Sequence, residues 1–277
     1  MNQSSKQYTK NLLQKYKAQP IKRFGQNFLI DQSAIKKIIE AADLKSNDIV
    51  LEIGPGPGVL TQELAKKAKK VIAIEKDIKM IEIIKETLKE FNNIEIIQGD
   101  ALKIAYNQLP SPYKVVGNLP FYLTAPIIRQ FLESDNPPEE MTLIVQKEVG
   151  QRICAKPPKM SILAVSVQIY AEPKIVSYIS KRSFWPSPKV DSAIIKISKI
   201  GLNQEINKDL FFKIVKAGFS QPRKQLINNL SKGLEMEREK SEKWLLKNKI
   251  EPSQRAETLK IEDWLKLLED FSKNQEF

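Results

Sequence analysis

Between residues 49 and 146, short apolar runs alternate with stretches in which apolar side chains recur every three or four positions. The runs at 49–53, 70–74, 94–98, 113–116 and 141–146 predict strands. The helical spacings predict helices near 59–68, 78–91 and 125–132. A further helix is predicted over 31–42, where Ala34, Ile35, Ile38, Ile39 and Ala42 line one face. This alternation of strand and helix predicts an α/β fold with a parallel, doubly wound, Rossmann-like sheet. After Glu148 the pattern mixes: short apolar elements at 162–170 and 174–179, then a strand at 193–197. A polar stretch at 200–206 marks a boundary, and helical periods fill the rest at 210–219, 224–230, 240–247 and 261–271. Three parts follow: a flexible basic tail over 1–20, an α/β domain over 21–200 and a small all-helical C-terminal domain over 201–277. Within the tail, Leu12, Leu13 and Tyr16 allow a short amphipathic helix.

Composition narrows the chemistry by exclusion. The 277 residues contain no histidine, which removes Ser-His-Asp triads, histidine acid–base catalysis and the usual zinc sites. Cys154 is the single cysteine, so no internal disulfide forms, and it reads as an ordinary buried thiol. No apolar run approaches the roughly 18 residues of a membrane span, so a soluble, cytoplasmic protein is expected; it is also expected to be a monomer. The formal net charge is +12. Residues 1–30 carry Lys6, Lys10, Lys15, Lys17, Lys22 and Arg23 with no acid before Asp31, and 151–200 carry nine basic side chains against Glu172 and Asp191. Blocks of this kind suit a phosphate backbone; their bland reading is a solubilising surface.

Four strand ends carry the candidate chemistry. The first strand runs into Glu52-Ile53-Gly54-Pro55-Gly56-Pro57-Gly58, a loop whose glycines permit positive φ and close approach of a ligand. Glu75 ends the second strand, where a carboxylate can accept both hydroxyls of a ribose. A dinucleotide fingerprint places its third glycine where Val59 stands, to seat a pyrophosphate. The spacing here instead favours S-adenosylmethionine, which has none. Asp100 follows the third strand and can accept from an adenine amine. After the fourth strand comes Asn118-Leu119-Pro120-Phe121, a signature of methyl transfer to planar exocyclic nitrogens. Such an amine shares its lone pair with its ring and is a poor nucleophile. The Asn118 side-chain carbonyl and the Leu119 backbone carbonyl would draw it toward sp³ geometry, Pro120 would shape the backbone, and Phe121 would stack on the base.

With these motifs, and with Lys22-Arg23-Phe24-Gly25-Gln26-Asn27-Phe28-Leu29, Phe184-Trp185-Pro186-Ser187-Pro188-Lys189-Val190-Asp191-Ser192 and Arg255-Ala256-Glu257, the chain resembles the ribosomal RNA adenine dimethyltransferase family of the KsgA type from Lys22 onward. The resemblance implies a Rossmann-like S-adenosylmethionine-dependent methyltransferase sheet and a helical RNA-binding C-terminal domain. It implies a cofactor site lined by Asn27, Leu29, Gly54, Gly56, Glu75, Asp100 and Asn118, and Phe184 stacking on the target adenine opposite Phe121. The implied substrate is 16S rRNA within a small ribosomal subunit or its precursor, with two adjacent adenines of a 3′-terminal hairpin dimethylated at N6. The family usually has tyrosine where Phe121 stands, and a basic residue is common where this chain has Pro222.

Three other readings compete: a sister enzyme of large-subunit rRNA, a non-catalytic RNA-binding assembly factor, and an NAD-dependent oxidoreductase. Leu119 and the Pro186-Ser187-Pro188-Lys189 segment favour the small-subunit type; the glycine spacing and lack of histidine disfavour the oxidoreductase. Trp244 and Trp264 read as core residues, Trp185 as a loop residue near the base pocket, and Glu52 as a brace for the glycine loop.

Overall fold

The structure, a computed structural model, describes residues 5–273. The chain groups into two compact units, one of residues up to Gln151 with Ala171–Ile200, the other of Arg152–Tyr170 with residues from Gly201 on.

The first unit begins with helix α1 (Ser5–Lys15), then strand β1 (Phe28–Leu29) and helix α2 (Gln32–Ala42), which Asp31 caps by accepting from the Ser33 N–H. Five strand-led repeats follow: β2 (Ile49–Ile53) with α3 (Val59–Ala65), β3 (Lys70–Glu75) with α4 (Ile78–Thr87), β4 (Ile94–Gln98), β5 (Lys114–Asn118) with α5 (Thr124–Leu132), and β6 (Glu140–Gln146) with α6 (Lys147–Ile153). Helix α7 (Ile162–Gln168) belongs to the second unit, and β7 (Glu172–Ile179), β8 (Phe184–Trp185) and β9 (Ser192–Ser198) return to the first.

The seven-stranded sheet has the order β4-β3-β2-β5-β6-β9-β7. Its first five strands are parallel, and β9 and β7 join antiparallel, so the doubly wound expectation holds with a mixed sheet as the refinement. The strand runs are nearly all apolar because both faces of the central strands are covered: Val50, Leu51, Val71, Ala73, Val115 and Ile144 are all fully buried. Strand order reverses between β2 and β5, the crevice where open α/β sheets bind ligands.

Two expectations change. Of the 1–20 segment, expected as a flexible tail, residues 1–4 lie outside the described residues and the rest contains α1, which buries Leu13 at 2% exposure beside Phe28, Met80 and Ile83. The apolar stripe that made a short helix conceivable is what seats it. Residues 152–170, expected in the α/β domain, group with the helical unit instead, because they bury Met160, Ala164 and Val165 and the Met160 N–H donates to the Glu257 carbonyl.

In that second unit, α8 (Lys208–Gly218), α9 (Leu226–Gly233), α10 (Arg238–Lys247) and α11 (Ile261–Lys273) pack around Phe211, Leu226, Leu230, Leu245 and Trp264. The Phe219 and Trp264 rings stack 5.6 Å apart, and a Cβ on Gly218 would lie 2.5 Å from the indole. Trp244 and Trp264 are core residues, at 6% and 0% exposure.

Candidate active site

The four candidate strand ends lie side by side. In sheet order they are Asp100 after β4, Glu75 ending β3, the Gly54–Gly56 loop after β2 and Asn118 ending β5. The register makes this so: Glu75 pairs with Gln98, Ile53 with Ile74 and Glu52 with Val116, so the carboxyl ends finish level. At about 4.8 Å per strand the row is roughly 14 Å long. A cavity follows it, lined by Asn27, Gly54, Gly56, Glu75, Asp100, Asn118, Leu119, Pro120 and Phe121 among others.

Glu75 is buried at 6% exposure and fixed by three backbone donors. Its Oε2 accepts from the Gly56 N–H at 3.1 Å, and Oε1 accepts from the N–H groups of Lys76 at 2.8 Å and Asp77 at 2.9 Å. Burial raises its carboxyl above the usual range despite these donors. With about four lone-pair sites on the carboxylate, acceptor capacity remains for a hydroxyl at Oε2. Asp100 takes Lys76 Nζ at 2.9 Å on Oδ2 and caps the Leu102 N–H at 3.1 Å on Oδ1. The bond from Lys76 holds its carboxyl below the ordinary value, so it stays an acceptor.

The glycine loop must be glycine where it meets its neighbours. Gly56 has φ +57°, and a Cβ there would lie 2.9 Å from the Phe28 ring. Any side chain would fill the cradle that backbone, Glu75 and Phe28 enclose. Behind it Glu52 is fully buried, and burial pushes its carboxyl up to about 8.

Asn118 donates Nδ2 to the Asn27 carbonyl at 2.9 Å. A carbonyl partner dictates the amide's orientation and leaves Oδ1 as the acceptor on this pocket-lining residue. Asn27 in turn donates Nδ2 to the Gly25 carbonyl at 3.1 Å, and Gln26 ties the same loop to Asp77 at 2.9 Å. A second, wider cleft shares Gly25, Gln26, Asn27 and Phe121 with the first cavity and continues along Gln146, Trp185 and Pro186.

Two expected site residues are elsewhere. Leu29 and Phe184 face each other in the antiparallel β1–β8 pair, at 5% and 2% exposure. Both belong to the core cluster with Ile35, Ile38 and Val116. Phe184 therefore presents no free stacking face here; its neighbour Trp185 lines the cleft beside Phe121 instead. Alternation along a strand explains it, since adjacent residues point to opposite faces. Sequence reading also missed Phe24, Gln26, Phe28 and Lys76 as pocket residues. Lys76 had a signal, directly following Glu75; in the loop from Phe24 to Phe28 the family-like motif pointed to Asn27, and only the fold shows that its neighbours line the pocket with it.

A doubly wound sheet with an anchored carboxylate, a glycine cradle and an amide acceptor at its switch point defines a nucleoside-cofactor-dependent transferase of the methyltransferase class. The ribosomal RNA adenine dimethylase family matches residues 18–273, and the chain belongs to it. It is 42% identical over 270 residues to a ribosomal RNA small subunit methyltransferase A of Dehalococcoides mccartyi, covering 96% of this chain and 93% of that one. The protein of the same name from Clostridium botulinum is 43% identical over 266 residues, covering 94% and 96%. Among solved structures, a dimethyladenosine transferase from Plasmodium falciparum superposes with a TM-score of 0.75 at 31% identity, over 88% of this chain and 97% of that one. A 23S rRNA methyltransferase gives 0.74 at 29%, over 89% and 100%.

Proposed function

We infer that this protein is an S-adenosylmethionine-dependent 16S rRNA adenine-N6,N6-dimethyltransferase acting in small-subunit biogenesis. The observation that carries the reading is the meeting of the two cavities at Asn27 and Phe121, next to the free acceptor of Asn118. One cavity fits the cofactor: Asp100 for its adenine, Glu75 for its ribose, the Gly54–Gly56 loop and Asn27 for its amino-acid end. When bound, the cofactor supplies an electrophilic methyl on a sulfonium.

The chain's own residues handle the acceptor. Asn118 Oδ1 and the Leu119 carbonyl accept from the adenine amine, drawing its lone pair out of the ring. Phe121 stacks on the base, which leaves its helix at a cost of a few kcal/mol. No strong base is needed, because the amine becomes acidic only as the new N–C bond forms. Orientation then supplies most of the rate. A second transfer requires that the slot admit the monomethylated amine, which keeps one N–H and its lone pair. The substrate is rRNA; small-subunit specificity and the two adjacent adenines are the finer reading, favoured by relatives 42–43% identical that bear the small-subunit name. Among the described residues no helix is long and apolar enough to cross a membrane, and no cluster suits a metal ion.

The test is transfer of tritiated methyl groups to undermethylated 30S subunits, followed by nucleoside analysis. N6,N6-dimethyladenosine in the 3′-terminal hairpin of 16S rRNA is expected; label confined to 23S rRNA, or no label, would overturn the reading.

A further inference from the structure

The family match begins at residue 18, so helix α1 precedes it. The helix is nonetheless seated: Thr9 and Leu13 are buried at 1% and 2%, Ala18 just beyond it at 8%, and Lys15 pairs with Glu86. Trp185 packs on the same small cluster of Leu13, Ala18, Phe28, Met80 and Ile83. That indole also lines the wide cleft, whose wall continues through Gln19 and Pro20, the residues that follow the helix. Lys10 lies with its ammonium 5.7 Å from the Trp185 ring centre. Lys6, Lys10 and Lys17 are exposed, and Lys6 and Lys10, four apart, share one stripe along the border of the buried face. No acid occurs in the chain before Asp31.

We propose that α1 and the turn after it form a phosphate-binding border beside the cleft, in which Lys6 and Lys10 of the helix and Lys17 of the turn hold backbone phosphates of nucleotides flanking the adenine that enters beside Phe121. Lys10 also holds the Trp185 ring in the cleft wall. The occupant is RNA because Lys10 lies against Trp185, whose ring lines the cleft with Phe121, so that bases can stack on aromatic faces while phosphates meet ammonium groups beside them. The inference rests on reading the cleft as the entrance for the target base.

The test replaces all three lysines by glutamine (Lys6→Gln, Lys10→Gln, Lys17→Gln) in the full chain and measures KM for undermethylated 30S subunits between 50 and 200 mM salt. KM should rise several-fold, and the slope of log affinity against log salt should become shallower by about 0.7 for each phosphate no longer neutralised, about 2 for three. The thermal shift given by S-adenosylmethionine should stay as in wild type, and the corresponding triple arginine variant should restore KM. A glutamine triple with wild-type KM and slope overturns the proposal. So does a raised KM with an unchanged slope, which would mean that α1 shapes the cleft or docks a protein of the subunit. A wild-type enzyme that transfers no methyl to rRNA would instead sink the underlying reading.

Discussion

Glu75 keeps its carboxylate in place through three backbone N–H groups, one of them that of Gly56. A Gly56→Ala change forces a side chain into positive φ, costing about 1–2 kcal/mol, and drives its Cβ against Phe28. The expected result is loss of the thermal shift given by S-adenosylmethionine together with a Tm lower by about 2–6 °C, read by scanning calorimetry. Phe121 offers a contrast between hydroxyl and ring. Phe121→Tyr should keep activity, whereas Phe121→Ala should lower kcat/KM for RNA by about tenfold to a hundredfold as the stacking face disappears; equal activity in both would remove the ring from the account. Glu52 supplies a pH signature. Burial raises it from 4.5 to about 8, with Glu75 adding to the rise, so the folded chain keeps a proton that the unfolded chain releases. Stability therefore falls as pH rises through that window and falls no further above it. Melting curves of wild type and Glu52→Gln should show the wild type losing ground to the variant from about pH 5 to pH 8; a flat difference would mean that Glu52 is ionised in the fold.

At the scale of elements, the central parallel strands were legible because burial on both faces writes a continuous apolar run, the edge strand β4 because Ile94, Ile96 and Ile97 still mark it, and the helices between them because one face alone is buried. The short β1–β8 pair was not legible. Two residues carry no period, and the pairing joins Leu29 to Phe184 across more than half the chain. That pairing decides which aromatic lines the cleft: Trp185 does, while Phe184 is buried. Helix α6 was missed because it begins directly at the end of β6, without a turn between them. In the helical unit, α8 and α11 meet where Gly218 leaves room for Trp264. Trp264→Ala should cost about 3–5 kcal/mol through the cavity left behind. Chemical denaturation should show the loss while the cofactor-induced thermal shift persists, since among the described residues none of this unit lines the cofactor cavity.

Across the whole molecule, what the sequence made readable was the set of strand ends; what it hid was what lies over them. Glu75, Asp100 and Asn118 each follow an apolar strand, so their convergence could be read from parallel topology alone. The loop of Gly25, Gln26 and Asn27 reaches Asn118 and Asp77 over separations of 91 and 51 residues, pairings that no local pattern encodes. The net charge of +12 suits a polyanionic partner, and the contact of Lys10 with Trp185, a residue that lines the cleft, came only with the fold. All of this rests on a nucleoside cofactor lying along the row from Asp100 to Asn118. A crystal structure with S-adenosylmethionine bound tests that directly. Its adenine should lie at Asp100, its ribose hydroxyls at Glu75 and its methyl carbon should face the Asn118 amide. A cavity left empty at saturating cofactor, or a methyl carbon turned out of reach of Asn118, would contradict the account.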